Sequence, residues 1–518
     1  MKSAGEGRPG RRWVRADTVA VAVPTVVMFA LGLWGLDRGG MWGDESVTYL
    51  VGRRTVPQIW QLLHTVDAVH GLYYLFMHVV LTAHPGEVVL RLPSVCGAAA
   101  TAGLVAALGT RLARPRVGLW AGLLYAITPM TGHYAQEGRS YAIVAAGAEG
   151  ATLLLVRAAE GRSARRWSAY GCVLAATCLL HELAVLVLCA HAATLALTRV
   201  PRAVWAGWAR AAGAAGLVLL PLVWVSQAQS GQVAWLRTPG WANVEGLARC
   251  FAVGRTGAVF WAYVLLVAVG IGAGRLASVA LPLLVLPPTV LMLASQLQPL
   301  YDDRYVLYAL AGAPLLAAAG ADRVVTVAGR LWRRGPQVSY RQQAGIGGRL
   351  RGRAPRLSYP HPVTLTGVLV IAVVFLTCLP LQFKNRSADH RPENLAAVSA
   401  VVARQARPGD AVLFLPSTWR VGALAYPRGF REARDVALAE SGSRSGTLSG
   451  LETSPGVLRR RLASVHRVWV VAPGYVLNSR RSPANPTERL KLAVVERHFR
   501  PVEDFASGRI TLGLYVRR

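Results

Sequence analysis

The sequence predicts a polytopic α-helical membrane protein with about 11 transmembrane helices and a small C-terminal α/β soluble domain on the outer face. Three observations predict it. Apolar runs long enough to cross a bilayer recur through residues 1–382, basic residues crowd into alternate connecting loops, and residues 383–518 turn to mixed, strand-and-helix content. The chain is 53% hydrophobic and only 16% charged, whereas a soluble domain carries about 25% charge. Its net charge of +31 rests on arginine, the only lysines being Lys2, Lys384 and Lys491. Basicity of this kind could point to nucleic acid, but the apolar runs are too long for a nucleic-acid-binding domain, and no nucleic-acid partner is expected. The same apolar content excludes disorder.

The N-terminus is basic and then apolar over Thr18–Leu36, with no small-residue cleavage site, so it reads as an uncleaved first span. The eleven spans are placed at 18–36, 91–110, 117–133, 141–157, 168–181, 182–198, 211–226, 256–274, 278–297, 304–322 and 363–382. Leu72–Ala83 is also apolar, but its twelve residues suit a helix lying along the interface. Charge supports that choice. With the N-terminus inside, the inner loops hold 25 of the 57 basic residues, against nine outside before residue 383. Counting 72–83 as a span would put the arginine cluster of 323–356 outside, against the positive-inside rule. The expected setting is therefore a multi-pass protein of the plasma (inner) membrane, N-terminus cytoplasmic and tail outside.

The tail reads as a helix (Pro392–Arg407), strands at Ala411–Leu415 and Val468–Val471, a helix at Glu488–Arg497 and a last strand at Ile510–Val516, with 441–450 a loop. Domains are accordingly drawn at 1–382 and 383–518. Five of the six cysteines sit in apolar runs and Cys250 is alone in a loop, so neither a disulfide framework nor a CxxC metal site is written here.

Candidate chemistry gathers in the outer loops. Trp42-Gly43-Asp44-Glu45 places two carboxylates close to a span's outer end, where a partly dehydrated acid can serve as general base; a solvated acid pair is the plain alternative. Asp67 and His70 follow, ahead of the interfacial helix. Between the third and fourth spans lies His133-Tyr134-Ala135-Gln136-Glu137-Gly138-Arg139-Ser140-Tyr141, with an acid and an arginine two apart. Arginine and aromatics there serve either as membrane anchors or as a phosphate site. His181-Glu182 forms a turn, and Tyr301-Asp302-Asp303-Arg304-Tyr305 puts an arginine at the outer surface. Glu149 and His191 lie mid-span and are expected to pair with neighbouring helices. Parity places Asp44, Glu45, Glu137, Arg139, His181 and Arg304 on one face, although they come from distant parts of the chain. No Walker A pattern or dinucleotide fingerprint is present.

The WGDE string, the D-x-x-H-G-L-Y-Y-L-F-M-H that follows it and H-Y-A-Q-E-G-R-S-Y-A resemble the GT-C superfamily of membrane glycosyltransferases. The nearest branch is the dolichyl-phosphate-mannose-protein mannosyltransferase-like proteins, or glycosyltransferase family 39-like. Gly71 and Leu72 stand where that family usually has two prolines. The resemblance implies a polyprenyl-phosphate sugar donor, mannose or a pentose, and transfer to a hydroxyl-bearing acceptor (protein, glycolipid or polysaccharide) on the outer face, with inversion. It implies Asp44 as catalytic base with Glu45 as its partner. Contacts to donor phosphate or substrate are expected from His70, Tyr134, Gln136, Glu137, Arg139, His181, Arg304 and Tyr305. No cofactor or metal ligand set is expected, metal dependence being left open. A lipid-linked-glycan transporter and a noncatalytic envelope scaffold are the competing classes; the lopsided loops and single acid-rich face disfavour a transporter built of paired halves.

Overall fold

The computed structural model describes residues 10–161, 163–334, 362–388, 391, 393–477, 483 and 485–518. All eleven expected spans fall on helical segments, and seven of the described helices are long and apolar enough to cross a membrane. The segments at 115–127, 164–180, 182–197 and 257–270 are shorter. Three of the expected spans are not single helices. Thr128 is held extended (ψ 125°) ahead of Pro129, so the third breaks into Pro115–Ile127 and Pro129–Ala135; the ring of a proline disfavours helical geometry in the residue before it. The sixth and tenth open with 3₁₀ turns, Glu182–Leu186 and Asp303–Ala311, before Val187–Leu197 and Gly312–Arg334. The expected interfacial segment is the helix Gly71–Ala83. The arginine cluster expected inside lies mostly in 335–361, outside the described residues.

Small residues let the helices approach closely. A Cβ on Gly97 would stand 2.9 Å from the backbone of Ala142, and one on Gly122 would stand 2.6 Å from Pro24. Lipid offers apolar side chains no solvent to flee, so backbone approach and dispersion hold such helices together. At one end of the bundle the predicted inner loops assemble into a charged cap: Glu160 pairs with Arg111 and Arg275, and Asp322 with Arg114 (2.7 Å) and Arg116 (2.5 Å).

Beyond the helix Pro362–Asn385 the chain forms a five-stranded sheet. Among the described residues the strands of the tail are β1 (Asp410–Phe414), β2 (Ala433–Asp435), β3 (Leu438–Glu440), β4 (Leu451–Glu452), β5 (Arg467–Pro473), β6 (Phe499–Ser507) and β7 (Ile510–Arg517). The large sheet runs β2-β1-β5-β7-β6, parallel among the first three and antiparallel thereafter; β3 and β4 pair separately. Period-two alternation divides the central strands between two cores. Ala411, Leu413, Val468 and Val470 face Leu458, Leu462 and Val495 on one side, while Val412, Phe414, Trp469 and Val471 face Leu395, Val398 and Val402 on the other. Both faces are covered, which is why β1 and β5 read as continuous apolar runs. Strands β2, β3, β4 and β6 were not expected, nor was the short helical turn Gly442–Ser445 inside the loop 441–450.

Candidate active site

Asp44 and Glu45 do not lie in an extended loop. They open a helix, Gly43–Gly52, whose N-cap Trp42 is extended. Acids in a first turn are favoured by the partial positive charge of a helix N-terminus. Successive helical residues project about 100° apart, and the two carboxylates accordingly part company. Asp44 points to the tenth-span loop, where Arg304 Nη1 meets its Oδ2 at 3.0 Å; its side chain keeps 34% of its exposure. Glu45 turns inward and is wholly buried. Arg91 holds it with two parallel bonds, Nε to Oε1 at 2.8 Å and Nη2 to Oε2 at 2.9 Å, and the Gly138 N–H adds a third at 2.9 Å. Burial alone would raise its pKa, but Arg391, Arg91 and these hydrogen bonds hold it below the ordinary carboxylate range. Glu45, expected beside Asp44 at the reaction, has no face open to a substrate. It ties the first loop to the loop of Gly138.

The Gln136–Ser140 stretch is anchored from both sides. Gln136 was expected at the substrate, yet its amide donates to Gly32 O (2.9 Å) and Trp34 O (2.8 Å) and is buried. Ser94 Oγ donates to Glu137 O at 2.6 Å. This frame carries Arg139 inward. Its Nη1 donates to Thr48 Oγ1 at 3.3 Å and its Nη2 to His70 Nε2 at 2.6 Å, while its Nε has no partner among the described residues. A guanidinium only donates, so His70 accepts on Nε2 and carries its proton on Nδ1, which is also buried without a partner. Burial and the cations of Arg139 and Arg304 keep the His70 pKa far below its usual value, so the ring is neutral. Asp67 pairs with Tyr74 (2.8 Å) rather than with His70. Gly71, where the resembled family has proline, begins the helix Gly71–Ala83 directly after a 3₁₀ turn at Ala68–His70.

Glu137 is buried beside this pair with Oε1 unpartnered, and His133 lies 3.9 Å from its Oε2. Burial pushes its carboxyl up to about 8, the nearby cations of Arg304 and Arg139 offsetting it only in part. The aromatic residues close the site. His181 packs at a tilt against Tyr305, ring centres 4.9 Å apart; Tyr305 lies 6.2 Å from Tyr141, and Arg304 sits 5.5 Å over Tyr141 and 5.6 Å over Tyr305. Tyr134 lies 5.9 Å from Tyr141 and lines an adjoining cavity of about 190 Å³ with His133, Arg255 and Asp303.

The six residues expected on one face thus converge, and His70, Tyr134 and Tyr305 join them. Glu149 and His191 do not. His191 is held by Thr152 (3.0 Å) and Tyr170 (2.9 Å), as expected of a satisfied core histidine. Glu149, also expected to pair, has no hydrogen-bond partner on either oxygen among the described residues. Sequence reasoning missed Arg91, Thr48 and Arg391. The signal for Arg91 was present, as an arginine set inside an apolar helix. Among the described residues no group of three or more His, Cys, Asp or Glu side chains forms a metal-ligating cluster.

No family model matches the chain, and no curated protein matches it. Solved structures do. ArnT from Cupriavidus metallidurans in the apo state superposes with a TM-score of 0.58 over 98% of both chains at 13% identity. The same protein bound to undecaprenyl phosphate gives 0.55 over 97% of this chain and 98% of that one, at 14% identity. The archaeal oligosaccharyltransferase AglB from Archaeoglobus fulgidus, in complex with an inhibitory peptide and a dolichol-phosphate, gives 0.50 over 99% of this chain and 75% of that one, at 10% identity. Likeness at such identities is likeness of fold: this chain shares the fold of ArnT and AglB.

Proposed function

We propose that the chain is a membrane glycosyltransferase that moves a sugar from a polyprenyl-phosphate donor to a hydroxyl acceptor on the outer face, with inversion and with Asp44 as general base. The observation that carries this reading is the Asp44–Arg304 pair, open to solvent mainly on the Asp44 side, at the edge of a buried set of polar atoms without hydrogen-bond partners among the described residues. A base and a cation in contact are what displacement at an anomeric carbon requires. The acceptor hydroxyl gives its proton to the Asp44 carboxylate as its oxygen bonds to the anomeric carbon. The bond from that carbon to the phosphate oxygen breaks on the opposite side, and its electron pair leaves with the phosphate. Arg304 and Arg139 stabilise the charge that develops there. A donor phosphate competes with Asp44 for Arg304, so donor binding frees the carboxylate oxygen that Arg304 otherwise occupies. Glu45 acts as a positioning group through Arg91, and the exposed apolar surface of the helices holds the lipid part of the donor in the bilayer. The lipids named with ArnT and AglB support a polyprenyl-phosphate donor. Mannose or a pentose remains the sugar favoured by the family 39-like resemblance.

The test is release of polyprenyl phosphate by the purified full chain from a panel of labelled polyprenyl-phosphate sugars. Asp44→Asn keeps the shape but not the basicity of the side chain, and turnover should fall about 10²–10⁴-fold with donor binding retained. Undiminished turnover in well-folded Asp44→Asn protein overturns the assignment of the base. No release from any donor by the unaltered chain overturns the enzyme reading in favour of a transporter or scaffold.

A further inference from the structure

The helix that carries Asp44 is not capped by its own sequence. Trp42, at the N-cap, has no side-chain acceptor for the first-turn N–H groups, which a helix leaves without internal partners. An acceptor arrives from 350 residues away: the Gly43 N–H donates to Glu393 Oε2 at 3.3 Å. Glu393 is itself buried, and Arg509, at the turn between β6 and β7, donates from Nε to its Oε1 at 2.9 Å. The approach to the helix is held from the same side. Met41 N–H donates to Tyr426 OH at 2.6 Å, and that hydroxyl donates to Glu87 at 2.7 Å. Gly40 lies so close to the helix Leu395–Gln405 that a Cβ there would stand 2.6 Å from Ala396. Arg391 reaches across to Gln136 O (3.1 Å) and stands 3.9 Å from Glu45. Residues 40–45 are therefore gripped between the start of the C-terminal unit and the Arg91–Glu45 pair.

We propose that Glu393 is a positioning residue for Asp44: a carboxylate supplied by the C-terminal unit that caps the Asp44 helix and sets the approach of Asp44 to Arg304. The C-terminal unit is then a working part of the site, linked to it through Arg509, Glu393 and Gly43. A cap of opposite sign to the helix N-terminus fixes both the first turn's geometry and its direction. Misplacement of a reacting group by even about 1 Å costs up to about 10²-fold in rate. The inference rests on the reading of Asp44 as base, but its geometric half can be tested without it.

The experiment compares the full chain with Glu393→Ala, Glu393→Gln and Arg509→Ala in detergent. Three quantities are read: kcat and KM for the donor, thermal midpoint, and hydrogen–deuterium exchange of the peptide covering 41–48. Glu393→Ala should lower kcat about ten- to a hundred-fold, leave donor KM within about twofold and speed exchange at 41–48 in protein that is still folded. Glu393→Gln, which keeps an acceptor oxygen, should fall between. Arg509 is exposed, so its removal spares the fold and should shift kcat and exchange in the same direction by less. A folded Glu393→Ala protein with unchanged kcat overturns the proposal, as does a drop in kcat and thermal midpoint with no change in exchange at 41–48. If the unaltered chain transfers no sugar, the functional reading fails on its own; unchanged exchange in Glu393→Ala would then overturn the cap as well, and faster exchange would uphold it.

Discussion

Asp44 and Glu45 are neighbours in sequence with opposite surroundings, and that contrast is measurable. Glu45 is sealed in a bidentate pair with Arg91, which also donates to Leu36 O (2.9 Å) and Gly40 O (3.1 Å). Glu45→Gln leaves that guanidinium buried without its counter-charge, a loss of about 3–5 kcal/mol. The expected outcome is a clear fall in thermal midpoint and folded yield, whereas Asp44→Asn unfolds normally; thermal unfolding of the two variants in parallel checks it, and equal midpoints would show the buried pair to be dispensable. Glu137 gives a pH dependence. Its carboxyl, raised to about 8, holds its proton at neutral pH in the folded chain but not in the unfolded one. Stability therefore declines as pH rises from about 4.5 to about 8 and levels off above. Ionised Glu137 also competes for Arg304, so donor KM should climb through pH 8 and the climb should vanish in Glu137→Gln; a parallel climb in both proteins would assign it elsewhere. The polar residues of the site were legible because each stands out against apolar sequence near a span's end. What they do was not. Gln136 and Glu45 look like substrate contacts until the carbonyls of Gly32 and Trp34 and the side chain of Arg91 are brought to them from other helices.

Helices with a full apolar run could be placed from sequence, and in the outer loops of the bundle those without one could not. Gly43–Gly52 carries Asp-Glu-Ser in its first turn and only partial periodicity, and its stability comes from packing under the C-terminal unit, where Met41, Tyr49 and Val51 join Tyr73, Met77 and Ala425. Trp241–Phe251 was hidden for a similar reason, since Asn243, Glu245 and Arg249 break up its apolar run. Strand β6 lies at a sheet edge with Arg500, Glu503 and other residues exposed, a pattern that carries no core-facing alternation. Glycine has a different kind of meaning in this bundle. In the pair Gly257–Gly270 and Gly312–Arg334, a Cβ on Gly320 would strike the Leu266 carbonyl and one on Gly270 the Leu316 carbonyl. On Gly213, in the helix Arg202–Ala228, a Cβ would meet nothing within 4 Å. The same substitution at the two places should have opposite signs. Gly213→Ala gains up to about 0.5–1 kcal/mol of helix preference, while Gly320→Ala must push two helices apart at a cost of about 1–3 kcal/mol. Thermal midpoints in detergent compare them directly, and a Gly320→Ala protein as stable as Gly213→Ala would mean that this helix pair is free to slide.

At the scale of the molecule, charge divides the bundle into two unlike ends. At one end arginines predominate and the carboxylates are few: Glu160 is shared between Arg111 and Arg275, and Asp322 between Arg114 and Arg116. At the other end lie Asp44, Glu45, Asp67, Glu137 and Asp302, with the C-terminal unit docked over them through Arg54 to Thr447 O (2.7 Å) and Thr65 to Gly446 O (3.0 Å). Charge counts along the sequence anticipated the division, because each span carries the chain from one end to the other and the basic loops alternate. They could not anticipate the docking, which depends on backbone carbonyls in a Ser/Gly-rich loop with no apolar pattern of its own. Arginine-rich loops stay on the cytoplasmic side of a membrane, so the end bearing Arg111, Arg116 and Arg275 should be inside and Asp44 with the C-terminal unit outside. In a chain whose own six cysteines are replaced by serine, a cysteine at exposed Arg459 should react with an impermeant thiol reagent on intact cells. One at exposed Arg165 should react only after the membrane is opened. Labelling of Arg165→Cys in intact cells would reverse the orientation and place the Asp44 end in the cytoplasm. Labelling of both would mean that the two charged ends do not lie on opposite sides of one membrane, and the reading of 72–83 as a segment that does not cross would fall with it.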